Sequence, residues 1–90
     1  MRKESIEFLR NLVNTPSPSG YETAGQRVWL NYVKNYADET FSDNYGNCVA
    51  VLNKGGSPRL MISGHADEIA LTVNYIDDNG FIYVRKIGGI

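Results

Sequence analysis

The sequence predicts an α/β chain, and three observations carry that reading. Apolar residues recur at helical spacing through the first third. From Glu39 the helical period disappears and β-branched residues take over. The last stretch alternates apolar and polar residues about a tight-turn signal, Asp78-Asn79-Gly80.

The first helix is expected over Lys3 to Val13. Ile6, Leu9, Leu12 and Val13 share one face, Phe8 lies close to it, and Lys3, Glu4, Glu7 and Arg10 take the other side. It should stop before "NTPSPSG", where Pro16 and Pro18 interrupt helical hydrogen bonding. Ser19-x-x-Glu22 has the form of a capping box, so a second helix is expected from there to about Asn35. Ala24, Val28, Leu30, Tyr32 and Val33 give it an apolar face that Trp29 and Tyr36 widen, which suits burial between other elements.

Strands should follow. "ETFSD" is short and alternating, and "NYGN" reads as a turn with Gly46 at a positive φ. "NCVAVLN" has the composition of a buried strand, "KGGSP" of a loop, and "RLMISGH" of the next strand. "ALTVNYID" and "FIYVRKI" then form a hairpin, with Val73, Tyr75, Phe81 and Tyr83 on one parity. Its alternation suits a separate small β unit with one wet face.

Bulk properties narrow the function. Ninety residues, 42% hydrophobic and 21% charged, suit one small globular domain with a modest core. Nine basic and ten acidic residues are well mixed and sum to −1, so neither nucleic acid nor an anionic membrane is an expected partner. Cys48 is the only cysteine and sits in an apolar run, so it reads as a small buried hydrophobe in a reducing compartment. "MRKESIEFLRNLVN" is charged throughout, unlike a secretory leader, and no apolar run approaches the roughly 20 residues that cross a bilayer. The expected setting is cytoplasmic. "FIYVRKIGGI" ends on a turn signal after a strand, and the chain is expected to be part of a larger fold.

The chemistry concentrates in "LMISGHADEIALTV". His65, the only histidine, follows an apolar run and Gly64, and Asp67 and Glu68 come next. An imidazole at the C-terminal end of a strand projects into the crevice where α/β proteins place ligands. It can bind a divalent metal through one nitrogen if a carboxylate or carbonyl holds the other N–H. Asp67, two residues on, returns to the same side of an extended backbone, whereas Glu68 faces the other way, toward backbone amides or a neighbouring element. On spacing alone the signal is weak, and His65 reads more readily as a hydrogen-bonded structural residue than as a ligand. One histidine does not complete a site, since catalytic zinc takes three protein ligands. Asp38, Glu39, Asp43, Asp77 and Asp78 have no second histidine to join, and the last two fall in a turn where aspartate is expected.

The wording of the sequence adds to this. "TPSPSGYE" after a first helix, "DNYGNCVAV", then His65-Ala66-Asp67-Glu68-Ile69, the Asp-Asp-x-Gly-Phe hairpin and Ile87-Gly88-Gly89 occur in an order that resembles the amino-terminal portion of the glutamyl aminopeptidase and cellulase-M-like metallopeptidases. The resemblance covers nearly the whole chain. It implies the start of a three-layer αβα zinc-exopeptidase-like catalytic domain over residues 1–68, and over 69–90 the first hairpin of an inserted β-barrel domain. It implies a cytosolic, oligomeric aminopeptidase acting on peptides with two divalent metal ions, zinc or cobalt. His65 would be a metal ligand, and Asp67 the catalytic-site carboxylate that orients it. The general base and remaining ligands would come later in the chain, so residues 1–90 alone should be inactive. Ala70 stands where the family pattern would have glycine. Two other readings are weighed: the wider co-catalytic zinc exopeptidases and deacylases, which also carry a Gly-Asn turn like Gly46-Asn47 and His-x-Asp, and a non-catalytic binding or assembly module derived from such an enzyme. Asp67-Glu68-Ile69 and the hairpin disfavour the former.

Overall fold

The computed structural model describes residues 1–90. Helix α1 spans Lys3–Val13 and α2 spans Thr23–Val33. Four strands follow: β1 Glu39–Ser42, β2 Cys48–Val51, β3 Ala70–Ile76 and β4 Ile82–Ile87. They form two separate antiparallel pairs, β1 with β2 and β3 with β4. No helix is long and apolar enough to cross a membrane.

The helices pack through their aromatic residues. Phe8 of α1 stacks on Tyr32 of α2 with ring centroids 3.9 Å apart, and Tyr36 tilts against Tyr32 at 5.3 Å. Gln26 of α2 donates through its side-chain amide to the Gly46 carbonyl, tying the helix to the β1–β2 turn. In that turn Gly46 has φ +85°. The Asp43 carboxylate accepts the N–H groups of Tyr45 and Asn47 at 2.9 Å each, and the Asn47 side chain at 2.7 Å.

Four expectations are corrected. "RLMISGH" forms no strand, because no neighbouring strand lies alongside to complete a ladder. Leu60, Met61 and Ile62 are consequently bare, at 85%, 87% and 90% exposure. Helix α2 starts at Thr23 with Glu22 at its N-cap and no side-chain cap bond, so Ser19 does not cap it. Cys48 and the rest of β2 are half-buried rather than buried, on both faces alike. In the last hairpin the alternation resets near Asn74. Val73 pairs with Val84 and Tyr75 with Tyr83, partners that are adjacent in sequence and therefore point to opposite faces.

The expected modest core is absent: no apolar side chain is fully buried, and the buried residues are Ser17 and Gly25. Exposed area is 7780 Å², against about 5200 Å² for a compact protein of this mass. The radius of gyration is 17.4 Å, against about 12 Å for a compact chain of this length. The elements form locally while their apolar faces lack a covering layer.

Candidate functional site

Of the two residues the fold does bury, Ser17 lies beside the His-Asp-Glu segment and Gly25 against Ser17. Residues after α1 run parallel to that segment, with Pro18 opposite Glu68. The Glu68 N–H donates to the Ser17 carbonyl at 2.9 Å, and the Ser19 N–H donates to the Glu68 carbonyl at 3.2 Å. The Glu68 side chain points back into the same loop, where its Oε1 accepts the Ser17 N–H at 2.9 Å. Glu68 thus meets a backbone amide, as its parity anticipates. Proline explains why this loop pairs with a side chain and a short bridge: Pro16 and Pro18 have no N–H to offer a longer ladder.

Helix α2 clamps the loop from the other side. Ser17 is only 5% exposed, and a Cβ at Gly25 would lie 2.1 Å from its Oγ. Gly25 is required by that close approach. The Ser17 hydroxyl donates to the Thr15 carbonyl at 3.3 Å.

Asp67 sits at the centre. Its Oδ2 accepts the Ser19 hydroxyl at 2.6 Å, and its Oδ1 lies 3.0 Å from His65 Nδ1. The Asp67 carbonyl is also 2.9 Å from Nδ1. A backbone carbonyl can only accept, so Nδ1 carries a proton, and in the neutral imidazole that leaves the lone pair on Nε2. The imidazole is 85% exposed. The Ser19 hydroxyl, and after it the His65 N–H, hold the Asp67 carboxyl below the ordinary carboxylate range.

Asp38, Glu39, Asp43 and Asp77 are engaged elsewhere. Asp38 accepts the Lys54 N–H at 3.0 Å, Glu39 pairs with the Lys54 ammonium at 2.5 Å, and Asp77 accepts the Asn79 and Phe81 N–H groups across the hairpin turn. No group of three or more His, Cys, Asp and Glu side chains converges to hold a metal. The chain's fit to a metal is therefore that of a single ligand. An imidazole with Nδ1–H fixed by a carboxylate and a free Nε2 is the form in which histidine ligates.

The structure brings together His65, Asp67 and Glu68, and adds Ser17 and Ser19, the latter expected at a helix cap. Ser19 and Asp67 are 48 positions apart, and no short-range pattern joins them.

Comparison with known proteins gives a consistent picture. The M42 glutamyl aminopeptidase family profile matches residues 46–90. A lysyl aminopeptidase from Pyrococcus furiosus is 39% identical over 85 residues, covering 93% of this chain and 24% of that protein. The crystal structure of a TET aminopeptidase from the marine sediment archaeon Thaumarchaeota archaeon SCGC AB-539-E09 superposes with a TM-score of 0.82 at 29% identity, covering 97% of this chain and 25% of that one. The chain spans about a quarter of the length of each.

Proposed function

This chain belongs to the M42 glutamyl aminopeptidase family, and from that premise we propose that the protein it forms part of is a metal-dependent aminopeptidase that removes amino-terminal residues from peptides. The observation that carries the reading is the state of His65: Nδ1–H is committed to Asp67, and Nε2 keeps a lone pair on an exposed ring. That is how a ligand imidazole is prepared before the ion arrives.

In this reading His65 Nε2 holds one of two divalent ions, zinc or cobalt. Bound metals in such sites polarise the scissile carbonyl and acidify a water. Asp67 fixes the His65 tautomer and ring orientation, and Glu68 anchors the segment to the Ser17 amide. The other ligands and the general base come from outside these residues, so residues 1–90 alone are inactive. Residues 1–68 contribute to the catalytic αβα domain, and 69–90 open an inserted β-barrel. The protein works in the cytoplasm and as a homo-oligomer; the likeness to the TET aminopeptidase supports the assembly.

The test is peptide hydrolysis by the full-length protein. Peptides with a free amino terminus should lose that residue and acetylated ones should not. Activity should vanish on chelation and return with zinc or cobalt. Equal cleavage of blocked peptides, or indifference to chelation, contradicts the proposal.

A further inference from the structure

We propose that Ser19 is a positioning residue for the metal ligand: its hydroxyl locks the Asp67 carboxylate, and through it the tautomer and orientation of His65. The inference deepens the reading of His65 as a ligand and rests on it.

The argument starts from the carboxylate. Asp67 has one oxygen on His65 and the other on Ser19. The terminal torsion of an aspartate is broad and roughly two-fold. With only the exposed imidazole to hold it, the carboxylate could turn and water could take its place, because His65 is 85% and Asp67 40% exposed. The Ser19 hydroxyl, at 2.6 Å, is a charge-assisted bond of the short class and fixes the second oxygen.

Ser19 is itself held. Its N–H donates to the Glu68 carbonyl, so it is attached to the segment it supports. The neighbouring Gly20 N–H donates to Glu22 at 2.5 Å, which fixes the next peptide. On its far side lies the turn after β4. A Cβ at Gly88 would come 3.0 Å from Ser19 Oγ and 3.3 Å from Ile69 Cγ2, and Gly88 has φ +83°. Only glycine leaves that space at that backbone angle without strain. Glycine at position 88 therefore leaves room for the Ser19 hydroxyl, which is directed at Asp67. Ser19, Asp67 and His65 form one line of hydrogen bonds that ends at the imidazole.

The experiment measures zinc affinity of the full-length, metal-stripped protein by competition with a chromogenic chelator, alongside the melting temperature. Ser19→Ala should weaken zinc about tenfold, the low end of losses for groups that orient a ligand, and Ser19→Thr should restore most of it. Ser19→Gly deletes the same hydroxyl together with the Cβ and is judged by the same criterion should the alanine variant misfold. A merely structural serine would lower the melting temperature and leave zinc affinity unchanged, and that result overturns the inference. His65→Ala separates the two levels. Zinc lost in His65→Ala but retained in Ser19→Ala removes the role of Ser19 and leaves the ligand reading intact. Zinc retained in His65→Ala removes both.

Discussion

Two regions of irregular backbone in this chain, one of them built from two segments, have opposite fates. Residues 15–20 and 65–68 are polar and knit together by bonds among Ser17, Ser19, Asp67 and Glu68. Residues 59–64, immediately before His65, carry Leu60, Met61 and Ile62 and leave all three bare. Hydrogen bonds are directional and close between two partners, so a polar site can be set by a few residues brought into register. Apolar burial needs a whole covering layer, and ninety residues arranged as two helices and two hairpins do not supply one. The polar site is thus bonded together where the apolar faces stay uncovered.

The bluntest way to break this comparison is to prepare residues 1–90 alone. With apolar faces and sheet edges uncovered, they should self-associate or precipitate. Light scattering that shows a monodisperse monomer, with a sharp cooperative melt, would contradict the claim that the covering layer is missing. Within the polar stretch, Asp67→Asn in the full-length protein should keep the fold and lower metal affinity about 10- to 100-fold. An unchanged affinity would mean that the carboxylate does not orient His65.

A smaller effect sharpens the packing side. Alanine favours helix over glycine by about 1 kcal/mol, but a Cβ at position 25 would run into Ser17 Oγ. Gly25→Ala should therefore cost about 1–3 kcal/mol, as overpacking does, and the melting temperature should fall. A rise would show that the loop yields freely. The smallest expected effect lies away from the site, at the β1–β2 turn. Hydrogen bonds from Asn47, its side chain first, depress the Asp43 pKa below its usual value. A depressed carboxylate contributes stability that is present above its unfolded pKa, near 4, and lost as pH falls through the folded value. Protection of the Asn47 amide from hydrogen exchange should drop in that acid range in the wild type and much less in Asp43→Asn.

What was legible in the sequence follows the same division. Lys3–Val13 matched its helical period residue for residue, and the last hairpin closed about the turn that Asp78-Asn79-Gly80 marks. The pairing of His65 with Asp67 followed from the two-residue period of extended backbone. Ser19 was misassigned because Ser-x-x-Glu satisfies a local capping rule, and its actual partner is remote in sequence. "RLMISGH" reads as a strand by composition, but a strand exists only with a neighbour. The reset near Asn74 left no mark in the residue types. Function was reached through the order of motifs, since one histidine and one aspartate fix no reaction alone.

The central claim is that His65 is built to hold a metal, and metal stoichiometry of full-length His65→Ala, measured beside its peptidase rate, tests it most directly. The account predicts tight binding of one fewer ion per chain and loss of nearly all activity, with the fold retained. Full metal content and normal turnover, with only a lower melting temperature, would make His65 a structural residue and end the metal-site reading.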